Sequence, residues 1–404
     1  MKFVLPRVIL GNRGDLTSRW GVLRALHQLG MENVTVFCRD PLDVPSPTYR
    51  SLPYRPLKNL LLDPPSLRAL IGADAALWTV GLDMQDDSSL TKLLYLWVTF
   101  RLYRLLGLRV WVLFQGAGPL TTPPGRRIAR EVLKQVDTFV ARDPGTYDLV
   151  GKIHPAVKRV LAYDGIFLPG FEQDAARLDA DEKEYLETLF DSGGRPVVGL
   201  NVRQWFHFAS SLIPYQLSKK AYRQRSQPKM ERLIASTVQL VRLLRKEQDA
   251  RLLLISAYQP GVVPWEDDLP WLAQVEAAFA DSPEVLLTDF PLGLPAYYAM
   301  MSRLSLMIGM RLHSSLIALR FGVPAINLSY TLKGGDIFGH LGLAENVFAL
   351  QDFLESPQKV YARAAALLAG QGREVERVRQ IVGRAVETNM DTLRLLLSFQ
   401  GTRP

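Results

Sequence analysis

Five histidines occur among 404 residues, and one of them, His313, follows Arg311-Leu312 at the junction of an apolar run and a short helical stretch. An imidazole is suited to proton transfer near neutral pH, and a guanidinium two residues away suits an anionic reactant. Ser314 and Ser315 add donors, and the free amides of a helix start favour a negative ligand. A helix N-terminus disfavours a charged imidazole, whereas an anion beside it favours one. A histidine held between such fields is suited to general acid catalysis. From position alone, a capping or packing role for His313 is at least as well supported.

Four further turns carry residues of the same chemical kind. Lys333 precedes Gly334-Gly335 in a loop after the next apolar run, where it reads either as a clamp for phosphate or carboxylate or as an exposed turn lysine. Arg142-Asp143 stands where the run 138–141 gives way to a helical pattern. It reads either as a self-contained ion pair with Asp143 capping the helix, or as an arginine reaching into a cleft. Gly11-Asn12-Arg13-Gly14-Asp15 forms a turn after the first apolar run, with Asp15 or Thr17 as helix cap and backbone amides that suit an anion. The third glycine of a dinucleotide fingerprint is missing there. Gln115-Gly116-Ala117-Gly118-Pro119 follows a buried run at the edge where a site would lie. The acid pairs Asp86-Asp87 and Asp267-Asp268 read as solvated rather than metal-binding. No GxSxG, HExxH or His/Cys cluster occurs, so neither a metal nor a cofactor is expected.

These turns need a frame that brings them together. Apolar runs at 3–10, 34–38, 75–80, 109–114 and 138–141 alternate with helical patterns such as 16–30 and 126–136. Runs apolar on both faces and separated by helices predict a parallel sheet covered on both sides. A second series at 197–203, 251–258, 285–290, 304–309 and 325–330 repeats the rhythm after an acidic helical stretch ending at Ser192-Gly193-Gly194. The expected fold is α/β, with two doubly wound, Rossmann-like domains facing a cleft. They are assigned to residues 1–175 and 176–375, with 376–404 as a last helix packing back on the first domain. Each sheet offers a crevice at its strands' carboxyl ends, which is where the turns above fall.

Composition excludes some classes. At 48% hydrophobic and 22% charged residues the chain can bury large cores and is not a disordered protein. The single cysteine, Cys38, rules out an internal disulfide. The N-terminal apolar stretch is shorter than a signal peptide core, and the long stretch 93–114 is broken by Arg101, Arg104 and Arg109. A cytoplasmic protein is expected. A net charge of +8 suits anionic small molecules, an anionic membrane surface or nucleic acid, with basic clusters at 125–130 and 219–225.

Taken together, GNRGD (11–15), QGAGPL (115–120), VARD (140–143) and MIGMRLHSSLIALRFGVPAINLSYTLKGG (307–335) resemble the polysaccharide pyruvyltransferase family. The resemblance implies an architecture like that of GT-B glycosyltransferases. It also implies transfer of a pyruvyl group from phosphoenolpyruvate to a sugar of a surface polysaccharide or its lipid-linked precursor, as a cyclic ketal. It makes His313 the catalytic residue and Arg142, Arg311 and Lys333 the groups that hold the donor. Ser314 joins them as an anion donor on the second, donor-binding domain. Gly11, Asn12, Asp15 and Gln115 would line the first, acceptor-side domain. The partners implied are phosphoenolpyruvate and a sugar or lipid-linked glycan. Peripheral contact at the inner membrane face, through the Trp-, Tyr- and Arg-bearing helix 89–106, is the accompanying expectation, against a plain sheet-covering role. A nucleotide-sugar glycosyltransferase is the alternative enzyme. A non-catalytic anion- or nucleic-acid-binding protein is the other alternative, although no aromatic and basic nucleic-acid motif is present and no nucleic acid partner is expected.

Overall fold

The computed structural model describes residues 1–40, 50–53, 64–79, 81–86, 90–204, 215–259, 261–263 and 266–398. Side chains of 215–225 lie outside that description, and so does the basic cluster expected there.

The first seven strands are β1 (Phe3–Leu5), β2 (Val34–Cys38), β3 (Arg50–Pro53), β4 (Ala75–Thr79), β5 (Arg109–Gln115), β6 (Thr138–Ala141) and β7 (Lys158–Leu161). They form one sheet in the order β3-β2-β1-β4-β5-β6-β7, with every pair parallel. Its helices are α1 (Arg13–Gln28), α2 (Pro64–Ile71), α3 (Leu90–Leu105), α4 (Pro123–Leu133) and α5 (Pro144–Ile153). Two short helices follow, α6 (Phe171–Ala175) and α7 (Ala180–Phe190).

The second sheet has the order β10-β9-β8-β11-β12-β13 and is also wholly parallel. Its strands are β8 (Val197–Asn201), β9 (Arg251–Ile255), β10 (Val285–Thr288), β11 (Leu306–Gly309), β12 (Ala325–Ser329) and β13 (Val347–Ala349). Its helices are α8 (Tyr215–Gln248), α9 (Leu269–Ala277), α10 (Leu294–Ser302), α11 (Leu312–Arg320), α12 (Leu332–His340), α13 (Leu350–Glu355) and α14 (Pro357–Ala369). The last helix, α15 (Gln371–Ser398), runs back to the first domain. The molecule is thus two parallel-sheet α/β domains. Among the described residues no helix is long and apolar enough to cross a membrane.

Strand order sets the layers. Crossovers that step in opposite directions along a parallel sheet must cover opposite faces, because each is right-handed. Accordingly Leu70, Leu93, Phe100, Val132 and Val150 from α2 to α5 share one apolar cluster. Val22, Leu23 and Leu26 of α1 lie on the other face with Met390, Leu393 and Leu396 of α15. The domains meet through apolar contacts: Leu16 and Trp20 of α1 join a cluster with Tyr297, Tyr298 and Ile317. Ile166, Phe167 and Phe171, with Leu186 and Leu189 of α7, belong to that same cluster, whereas Leu168 packs with the first sheet.

The first expected strand, 3–10, is cut short at Leu5, because Pro6 lacks the amide a continuing ladder needs. The chain then turns Arg7 toward Asp15 and Asp83. Asn12 caps α1, accepting from the amides of Gly14 and Asp15, which corrects the expected cap at Asp15 or Thr17. The acidic stretch 168–196 is two helices rather than one, and α7 starts with a capping box from Asp179 and Glu182.

The segment after β7 carries part of the site, and α15 fixes it. Asn389, wholly buried, accepts from the Tyr163 amide at 2.9 Å and donates to the carbonyls of Asp164 and Phe167, each at 2.9 Å. Asn389→Ala leaves those backbone groups buried without partners. It should lower the unfolding free energy by about 2–4 kcal/mol, read from urea denaturation.

Candidate active site

Between the carboxyl ends of the two sheets lies a cleft of about 380 Å³, to which both domains contribute walls. Its centre is His313. β11 ends at Gly309, where a side chain would meet the Ser315 hydroxyl, and the Gly309 carbonyl accepts from Asn327 at 2.9 Å. The Arg311 amide is held by Asn201 Oδ1 at 3.0 Å, so the turn into α11 is fixed from two neighbouring strands. That turn delivers His313 to the second position of α11, facing the first domain.

Three groups of the first domain surround the imidazole. Its Nε2 stands 3.4 Å from Arg142 Nη1 and 3.6 Å from Asp164 Oδ2, and its Nδ1 is 3.7 Å from Asp15 Oδ1. The approach requires Gly14, where a Cβ would fall 2.2 Å from His313 Cβ.

Arg142 follows the last residue of β6 and is buried, donating through Nη1 to Asp164 Oδ2 at 2.8 Å. Burial pushes the Asp164 carboxyl up, but Arg142 and His313 outweigh it and hold the group well below the usual carboxylate range. Gly116 leaves room for the guanidinium, since a Cβ there would sit 3.1 Å from Arg142 Nε. Asp143 takes no part in this ion pair; it caps α5, accepting from the Thr146 amide at 2.7 Å.

Arg311 lines the cleft, yet its guanidinium is engaged. It donates to Asp268 at 2.8 Å and to Glu266 Oε2 at 3.0 Å, and it lies 4.5 Å from the centre of the Tyr258 ring. Arg203 shares Glu266 at 3.0 Å and donates to the Tyr330 hydroxyl at 2.9 Å. Asp268 is therefore a buried counter-ion, not a solvated acid. Asp86 is likewise fully buried and accepts from Thr121 and Thr122, because both acids close turns that would otherwise leave amides unpaired. Asp87 lies outside the described residues.

Lys333 stands in the first turn of α12, not in a loop, and its Nζ lies 3.5 Å from Gln85 Oε1 across the cleft. Gly334 lets this helix start against β12, where a Cβ would meet Asn327 Oδ1 at 2.3 Å. Neither α11 nor α12 has a side-chain cap, and both begin at residues that line the cleft. Two helix starts facing one cavity make an anion-accepting wall.

Of the other expected site residues, Asn12 and Asp15 line the cleft. Gln115 does not: it is buried behind the wall, donating to Asp83 Oδ2 at 3.2 Å. A register shift in β5 between Val112 and Gln115, with Phe114 at φ 52°, turns it there. Gly11 is a joint rather than a contact surface, its carbonyl accepting from the Gln259 amide at 2.8 Å and its φ of +68° suiting glycine. Ser314 is buried beneath His313, with its hydroxyl toward Tyr297.

Sequence reasoning missed Asp164, Arg7, Asp83, Lys92, Arg203 and Glu266. Arg7 inside an apolar run was a usable signal, since a charge in a buried strand needs a partner. Arg7 Nε pairs with Asp83 at 2.8 Å and Lys92 Nζ with the same carboxylate at 3.0 Å. Burial raises the Asp83 carboxyl, but Arg7 and Lys92 prevail and hold it well below the usual range. A carboxylate depressed on folding stabilises the protein above its unfolded-state value, and that contribution fades as pH falls toward the folded one. The urea midpoint should therefore drop between about pH 5 and about pH 3. Asp83→Asn should start lower at neutral pH and lose less over the same interval.

No group of three or more His, Cys, Asp or Glu residues able to hold a metal occurs among the described residues. A family model described as polysaccharide pyruvyl transferase matches residues 12–331. No curated protein sequence matches the chain. Among solved structures, the S. aureus MnaA–UDP co-structure aligns with a TM-score of 0.61 at 13% identity, covering 100% of this chain and 99% of that one. A UDP-GlcNAc 2-epimerase from Neisseria meningitidis, bound to UDP-GlcNAc, gives 0.59 at 13% identity over 98% and 100%. A glycosyltransferase from Rickettsia africae gives 0.57 at 9% identity over 99% and 100%. At such identities the likeness is one of fold: two facing domains of GT-B type.

Proposed function

Because this chain belongs to the polysaccharide pyruvyl transferase family, we propose that its cleft moves a pyruvyl group from phosphoenolpyruvate to a diol of a sugar or lipid-linked glycan, with His313 as the acid. The observation that carries the reading is His313 of one domain standing 3.4 Å from Arg142 of the other.

In this reading His313 gives a proton to the methylene carbon of the donor. The adjacent carbon, now oxocarbenium-like, is attacked by one sugar hydroxyl, which releases its proton. The carbon–oxygen bond to phosphate breaks, and a second hydroxyl closes the ketal with loss of its own proton. Atoms balance as donor plus diol giving ketal plus phosphate. Arg142, Lys333 and the starts of α11 and α12 hold the phosphate and carboxylate, acting as fixed charges and dipoles aimed at the leaving group. Arg311, already paired with Asp268 and Glu266, sets the turn that presents His313 more than it neutralises the donor. Asn12 and Asp15 stand on the acceptor side.

The test is a thermal shift panel with phosphoenolpyruvate, nucleotide sugars and DNA. A ligand at 100 times its dissociation constant stabilises by about 2.7 kcal/mol, enough to move a melting temperature by several degrees. Phosphoenolpyruvate should raise it, and Arg142→Ala should remove the rise. Stabilisation by a nucleotide sugar and none by phosphoenolpyruvate would favour the glycosyltransferase alternative, which the neighbours support only at the level of fold.

A further inference from the structure

We propose that the outward face of α3 and α4 docks the protein on an anionic phospholipid bilayer. The inference stands apart from the chemistry in the cleft. α3 buries Leu93, Leu96, Phe100 and Tyr103 against its sheet, which accounts for one side of the helix. The other side is apolar too: Leu94 is 44%, Val98 52% and Leu105 72% exposed, with Tyr95 at 48% beside them. Positions 94, 98, 101 and 105 fall on one helical stripe, and the remaining member is the exposed Arg101. A sheet-covering helix needs only its inner face apolar, so the outer stripe calls for a second solvent.

Charge identifies that solvent. The sequence of α3, LTKLLYLWVTFRLYRL, contains no carboxylate. α4 packs beside it on the same sheet face and exposes Arg126, Arg127 and Arg130. Aliphatic side chains flanked by arginines, with a tyrosine among them, match the boundary between acyl chains and headgroups. Negative lipids supply the complementary charge. The location is consistent with this. α3 and α4 start after the carboxyl ends of β4 and β5, and Lys92 in the first turn of α3 lines the cleft. A bilayer under this face therefore borders the cleft mouth.

The experiment is flotation of the full chain with vesicles of equal parts phosphatidylglycerol and phosphatidylcholine, and with phosphatidylcholine alone. Sedimentation velocity without lipid runs alongside. At low salt the protein should float with the mixed vesicles, stay behind with phosphatidylcholine, and be released by high salt. Leu94→Asp with Val98→Asp, and separately Arg126→Glu with Arg127→Glu, should each cut partitioning at least about tenfold. Their far-UV dichroism and thermal midpoints should stay at the wild-type values. The proposal is overturned if the wild-type protein does not float with the mixed vesicles, or if both variants float like it. It is equally overturned if the chain sediments as a dimer that Val98→Asp dissociates while no vesicle is bound, since a second copy would then cover the face.

Discussion

Replacing His313 by Gln should lower turnover about 10²–10⁴-fold with phosphoenolpyruvate and a competent acceptor, the range for removing a positioned general acid. The loss should fall on kcat, because Arg142, Lys333 and two helix starts remain to bind the donor. Stability should change little: the imidazole is partly exposed, at 16%, and its neighbours Asp15 and Asp164 keep Arg7 and Arg142 as counter-ions. Steady-state kinetics beside a urea titration separates the two. Near-normal turnover in His313→Gln would remove the residue from the chemistry.

Gly14→Ala carries the second large effect, and it acts through the meeting of α1 with α11. The new methyl would lie 2.2–2.3 Å from Cβ, Cγ and Nδ1 of His313. Rotating the imidazole cannot relieve contact with its own Cβ, so one helix must move. Overpacking of this kind costs about 1–3 kcal/mol, against at most about 1 kcal/mol gained from the better helix former. A displacement near 1 Å at a catalytic group can cost about 10² in rate. Activity should therefore fall at least that far while the protein still folds. In a His313→Gly background the clash partner is gone, and Gly14→Ala should then be neutral or stabilising. A cycle of the four proteins measures the coupling directly. Full activity in Gly14→Ala would show that α1 and α11 do not need this contact.

The parts of the fold that were readable were those with a two-sided apolar run. β4, β5, β6, β8, β9, β11 and β12 sit inside their sheets, and each announces itself as a buried parallel strand. β3, β7 and β13, all at sheet edges, were not readable: Lys158–Leu161 reads KRVL, and an edge strand needs only one apolar face. The site divided along a similar line. His313 and Arg142 could be picked out because each follows a strand directly, where such folds hold their ligands. Asp164 partners Arg142 from 22 residues away and Asp268 partners Arg311 from 43, with no local pattern to link them. Ser314 and Gln115 had suitable chemistry and position, but helical phase and a strand irregularity turned them inward.

The covering of the first sheet by α15 has a consequence for synthesis. The sheet is complete in sequence at Leu161, but Met390, Leu393 and Leu396, which close one of its faces, are made about 230 residues later. At about 5–20 residues per second, that face stays open for roughly 10–45 s while the second domain is produced. Leu23 and Leu26 of α1 can pack on the strands of their own sheet from the start, but their neighbours on α15 arrive only after the second domain has been made, so a late helix seals an early core.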